Sequence, residues 1–183
     1  MDQPGNKKAN PKKKLGLYLK VILTKRVSLP FNQIGQNIED ILLGKISQQI
    51  EGRCIAEGFI KPKSLNLIQY STGSIKGANV HFEVVFEGLV CRPVEGMRFP
   101  CFAKNITKAG IRAETKERVS PVVVFIARDH YYKNKYFSSI KEDQQITIKV
   151  IGTRFELNDK YISVIADLVP PKKSKRKKVL IGN

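Results

Sequence analysis

The sequence predicts an α+β chain, with a strand–helix–strand unit followed by a small closed β-barrel of the OB type. Three patterns carry that expectation. Ile34, Ile38, Ile41, Leu42, Ile46 and Ile50 recur at three- and four-residue steps, which is one face of a helix. Val80, Phe82, Val84 and Phe86 alternate with His81, Glu83, Val85 and Glu87, which is a half-buried strand. Beyond residue 96, five strand-like segments follow one another across short turns, the spacing of a five-stranded barrel.

In chain order, residues 17–29 alternate as a strand, with Leu17, Leu19, Val21 and Leu23 on one face and Pro30 as its stop. The helix is predicted over 36–51, with Gly52 in the C′ position that ends it. Gly44 inside it weakens the helix by about 1 kcal/mol relative to Ala, which packing must offset. Residues 53–60 and 64–70 read as two short strands around Lys61-Pro62-Lys63. Residues 71–77 read as turn, broken by Gly73 and Gly77. The strand from Val80 continues towards Val90. Barrel strands are predicted at 97–106, 109–115, 121–127, 144–157 and 160–169, and 128–140 has room for a short helix or ordered loop. The expected division is a basic tail at 1–14, a first domain at 15–86, the barrel at 87–170 and a second basic tail at 171–183.

Hydrophobic residues are 42% of the 183, enough to bury a core in most of the chain. Lys and Arg number 33 against 16 Asp and Glu, a net charge of +17 that favours a polyanionic partner. The charge is uneven: residues 1–20 hold six Lys against Asp2, and residues 172–178 read KKSKRKK. Both ends lack periodic apolar positions and are expected to be disordered. They would serve as solvated tails, as import signals or as phosphate contacts. No apolar run approaches the roughly 20 residues of a spanning helix, so no membrane partner is expected. No secretory signal is visible. Three scattered cysteines, Cys54, Cys91 and Cys101, fit a reducing compartment better than a disulfide framework.

No Walker or Rossmann glycine loop, GxSxG, HExxH or CxxC occurs, so no cofactor, metal or catalytic residue is assigned. A surface row is more informative. In MRFPCFAK, alternation puts Met97, Phe99, Cys101 and Ala103 on one side and Arg98, Phe102 and Lys104 on the other. The first set fills a barrel. The second, a cation–aromatic–cation row, suits a stacked base flanked by phosphates. Arg154, Phe155 and Tyr161 on the last two strands would extend it. Equally, Phe102 would pack under a neighbouring loop with solvated cations beside it.

The order of parts resembles the stalk subunit of archaeal and eukaryotic multisubunit RNA polymerases, over about residues 17–169. The most specific stretch is 29–60, where Gly35, Glu51, Gly52 and Cys54 stand at the family's glycine entry, helix and Glu-Gly-x-Cys step. In 79–97, Val84, Val85, Phe86, Glu95 and Gly96 match a long apolar strand and the Glu-Gly turn that opens the barrel. The basic tails lie outside the family core, and 62–77 lacks its usual acidic turn. In this divergence the chain is more similar to copies carried by large DNA viruses. The resemblance implies an RNP-like tip docking on the polymerase core near the clamp and biasing it towards closure, with docking residues at Gly52, Arg53, Cys54, Phe59 and Lys61. It implies a small helical partner subunit across both domains, and an OB barrel near the RNA exit path binding single-stranded RNA. Arg98, Phe102, Lys104, Arg154 and Tyr161 are the RNA-facing candidates. It also implies a non-catalytic role in a nuclear or virus-encoded polymerase. A free-standing OB-fold RNA-binding or translation-factor-like protein is the alternative.

Overall fold

The structure is a computed structural model and describes residues 16–131 and 135–171. The two basic tails fall outside those residues, apart from Pro171.

The first unit contains β1 (Tyr18–Pro30), α1 (Ile38–Ile50), β2 (Cys54–Ile55), β3 (Gly58–Ile60), β4 (Asn66–Tyr70), β5 (Ser74–Lys76) and β6 (Asn79–Cys91). β6 is the spine. β1 pairs with it antiparallel over its full length, from Tyr18 opposite Cys91 to Pro30 opposite Asn79. Its other edge is covered in series by β5, β4 and β3. The inward row Val80, Phe82, Val84, Phe86 and Val90 packs with Val27 and Leu29 of β1. Leu42, Ile46 and Ile50 of α1 close that core.

Three local features differ from expectation. The helix begins two residues late, because a single 3₁₀ turn at Phe31–Gln33 precedes it and Asn37 is its cap. Ile38 and Ile41 are then only half-buried, and the buried stripe is Leu42, Ile46 and Ile50. The segment 53–60 is a hairpin, not one strand, folding back between Ile55 and Gly58. Part of 71–77 is strand: β5 pairs with β6 across Gly77, whose φ of 62° suits a glycine turn. β6 runs unbroken to Cys91, as the alternation continuing towards Val90 predicts, and carries the chain towards the barrel.

Two stability results follow. Ile46→Ala should cost about 2–5 kcal/mol in a denaturant melt, since Ile46 is fully buried, while exposed Gln48→Ala should be near neutral. Gly44 is exposed, and a Cβ there meets nothing within 4 Å, so packing does not require glycine. Gly44→Ala should stabilise the protein by up to about 1 kcal/mol.

The second unit contains β7 (Arg98–Ile106), β8 (Gly110–Glu114), β9 (Val122–Ala127), α2 (Lys135–Ser138), β10 (Gln145–Arg154) and β11 (Ile162–Val169). Its strands close in the order β7-β8-β9-β11-β10 and back to β7. β9 and β11 are parallel and the other pairs antiparallel. Closure leaves no free edge. Phe99, Cys101, Ile111, Val124, Ile148 and Val164 are among the side chains that fill it. Between β9 and β10, a 3₁₀ turn at Arg128–Tyr131 and α2 bring Phe137 and Ile140 onto this core. Tyr131 stacks on Phe137 at 5.4 Å and donates its hydroxyl proton to Asp167 at 2.9 Å.

The two units are joined by shared packing. Cys54, Phe59 and Cys91, all on strands of the first sheet, belong to the barrel's core cluster. The Cys54 N–H donates to the Asp159 carbonyl, and the Asn158 N–H donates back to the Cys54 carbonyl, both at 2.8 Å. The Tyr18 hydroxyl donates to Glu117 at 2.8 Å.

Candidate nucleic-acid interface and docking face

Strand alternation builds the barrel's outer surface. With Phe99, Cys101 and Ala103 buried, β7 presents Arg98, Pro100, Phe102 and Lys104 outward. On β10, Lys149, Thr147 and Gln145 stand opposite Arg98, Pro100 and Phe102 and also face out. An open groove of about 940 Å³ lies over this part of the surface. Its walls include Arg98, half-buried Phe102, Lys116, Gln145 and Thr147, and the incoming Leu17. An aromatic face between cations and uncharged hydrogen-bonding groups can stack a base and hold phosphates.

The five barrel candidates do not form one cluster. Arg98 and Phe102 share the groove. Lys104 lies one strand repeat beyond Phe102, but its ammonium donates to Asp143 at 2.6 Å, which raises its pKa and neutralises its field. Arg154 is five residues past Lys149 on β10, roughly 15 Å along the strand, and pairs with Glu156 at 3.3 Å. Tyr161 is exposed just before β11, next to the turn that bonds Cys54. Among the described residues, Arg98 and Lys149 form no ion pair. Lys149 and Gln145 were missed as candidates, although the alternation of Gln145, Thr147 and Lys149 with Ile146, Ile148 and Val150 marks them as outward.

On the first unit, Gly52 has the expected positive φ, 70°, and its N–H donates to the Ile60 carbonyl at 2.9 Å. Arg53 is exposed, and the Lys61 ammonium lies 4.8 Å from the centre of the Tyr18 ring. Lys20, Lys61 and Lys63 rim a cleft of about 490 Å³ with Glu87. Lys20 hydrogen-bonds Glu87 at 2.8 Å and, with Asn66, holds its carboxyl below the usual range. Cys54 and Phe59 are 1% and 0% exposed, so neither side chain can touch another protein. They act inward, on the joint. Burial pushes the Cys54 thiol up to about 11 and those of Cys91 and Cys101 up to about 12.

A second surface on the barrel is apolar. Phe125 on β9 stands directly beside Ile165 on β11, and Ile151 lies at the bulge of β10 against that part of β11. All three are exposed, by 42%, 56% and 42%. An apolar stripe across three adjacent strands is the kind of patch a protein partner covers.

No protein-family model matches the chain. It is 26% identical to a protein of Acanthamoeba polyphaga mimivirus named as a DNA-directed RNA polymerase subunit, over 84% of this chain and 82% of that one. It is 23% identical to the RPB7 subunit of DNA-directed RNA polymerase II from Glycine max, over 82% of this chain and 98% of that one. Subunit 7 of the same polymerase from Arabidopsis thaliana is 22% identical over the same shares. These relatives bear out the resemblance to the polymerase stalk-subunit family. The matches span both units, not the barrel alone.

Proposed function

We propose that this chain is a non-catalytic stalk subunit of a multisubunit DNA-dependent RNA polymerase, cellular and nuclear or virus-encoded. One observation carries the reading: similarity to named polymerase subunits runs through the first unit and the barrel together. A free-standing OB protein would share the barrel and have no need of the first unit. In this reading the first unit is an RNP-like tip that docks on the core near the clamp, and the barrel meets emerging RNA during initiation and elongation. With Cys54 and Phe59 enclosed, direct docking falls to Arg53, Lys61 and the backbone turn at Gly52. The stripe Phe125–Ile165–Ile151 supports a place for the helical partner subunit, since an amphipathic helix buries such a surface.

Tagged protein expressed in its native host or infected cell should retain the large polymerase subunits at moderate salt, as read by mass spectrometry. Recovery without any polymerase subunit would favour the free-standing RNA-binding alternative.

Gly52 offers a sharper test. A Cβ there meets only Pro62, at 3.7 Å, so bulk is tolerated while the left-handed backbone is not. Gly52→Val should weaken polymerase retention and leave the barrel folded. Normal retention would remove this turn from the docking face.

A further inference from the structure

β1 is an edge strand. It pairs with β6 along its whole length without a register shift, and among the described residues no strand pairs with its other side. The direction of its backbone groups follows from its neighbours. The Phe31 N–H donates to the Ala78 carbonyl, one step beyond the pair of Pro30 and Asn79, so the odd-numbered residues of β1 bond β6. On β6, Glu83 and Leu89 agree with this alternation, since they bond Ser71 and Lys61 on the side away from β1. The N–H and C=O groups of Lys20, Ile22, Thr24, Arg26 and Ser28 therefore point outward. Both ends of this row are closed by the fold. The Lys45 ammonium of α1 donates to the Ser28 carbonyl at 2.6 Å, and at the other end the Tyr18 hydroxyl is held by Glu117 of the barrel. Between them, from Lys20 to Arg26, about 20 Å of edge is open.

Native edges are commonly blunted by shortness, a bulge or a proline. The open part of β1 has none of these, and it is apolar as well as basic. Leu19 and Ile22 are 48% and 65% exposed, and Val21 and Leu23 are half-buried. Its charged residues are Lys20, Lys25 and Arg26, and β1 carries no acid. Two copies of β1 laid antiparallel about Leu23 would set Lys20 of one against Arg26 of the other, which disfavours self-pairing. The same cations attract an acidic strand. We propose that the open edge of β1 takes up an extended acidic segment of a protein partner as an added strand. The segment's backbone completes the ladder at Lys20, Ile22, Thr24 and Arg26. Its apolar residues cover Leu19 and Ile22, and its carboxylates meet Lys25 and Arg26. This contact goes beyond docking through Gly52, Arg53 and Lys61, and it needs neither RNA nor the barrel groove.

The test is amide hydrogen exchange of the full chain, read residue by residue by NMR. The probe is a capped peptide, Asp-Val-Glu-Val-Thr-Ile-Glu-Val-Asp, and its counterpart with Lys in place of every acid. At about ten times its Kd, the acidic peptide should slow exchange at the Lys20, Ile22, Thr24 and Arg26 amides about tenfold. The amides of Val21, Leu23 and Lys25, already bonded to β6, should change less, and the Lys counterpart should slow none of them. Thr24→Pro removes one outward N–H at an edge position that tolerates proline, and should weaken peptide binding by up to about tenfold with Val21 and Leu23 still protected. If the proline unfolds β1, Lys25→Glu with Arg26→Glu keeps every backbone group and should reverse the preference between the two peptides. No slowing at the four outward amides, or equal slowing by both peptides, would overturn the proposal. So would slow exchange at those amides in the chain alone. A slowing that grows with protein concentration would make a second copy the occupant, and one that does not would mean that the chain itself fills the edge. These readouts involve no polymerase, so their failure leaves the stalk reading untouched.

Discussion

Phe59→Ala is expected to destabilise the protein by about 3–5 kcal/mol and to loosen the two units from each other. Phe59 sits on β3 of the first sheet, opposite Cys54 and Cys91, yet packs in the barrel's core with no exposed surface. Its removal leaves a cavity at the joint, where the Cys54 backbone also bonds the β10–β11 turn. Unfolding in denaturant should show a lower midpoint, with the transitions read by probes on the two units drawn apart. Ile68→Ala, at an exposed position of β4, is the control and should lie within about 0.5 kcal/mol of the parent. A Phe59→Ala loss no larger than the control's would mean that the shared packing does not hold the units together.

The second large effect concerns RNA. Phe102→Ala should weaken single-stranded RNA binding by about 1–3 kcal/mol, if one base stacks on the ring, at every salt concentration. Arg98→Ala should instead flatten the salt dependence by about 0.7 in log–log slope. Lys104→Ala should change that slope less than Arg98→Ala, because Lys104 is already engaged by Asp143. Fluorescence anisotropy across a salt series separates the three. Equal slope changes for Arg98 and Lys104 would show that the Asp143 pair opens in the complex, and an unchanged affinity for Phe102→Ala would take stacking out of the groove.

The fold was legible where burial alone dictates pattern. All five barrel strands, β1 and β6 are two-faced, and a period of two marks a strand with one wet side. The hairpin at 54–60 was not, because each of its strands is too short to show a period. Its fold-back is instead set by Gly58, whose φ of 134° brings β3 under Cys91. The helix stripe lies one step from its expected place, because Ile38 and Ile41 share the apolar pattern while only Leu42, Ile46 and Ile50 face the sheet. At the candidate site, alternation finds Arg98 and Phe102. It misses that Lys104 is held by Asp143, a pairing across 39 residues that only strand register creates. Nor can it separate Arg154 and Tyr161 from the groove, since which end of a strand a residue occupies depends on how the barrel closes. Cys54 and Phe59 are docking candidates by their place in the chain yet are buried, because position in the chain does not give the direction a side chain takes.

Lysine-reactive crosslinking of the purified complex, mapped by mass spectrometry, tests the proposed stalk role most directly. Lys20, Lys61 and Lys63 rim the cleft of the first unit, whereas Lys108 and Lys141 are exposed on the barrel. Links from Lys61 or Lys63 to a large polymerase subunit, with Lys108 and Lys141 unlinked to the core, are the expected result. Core links confined to Lys108 and Lys141, with none from Lys20, Lys61 or Lys63, would contradict docking through the first unit.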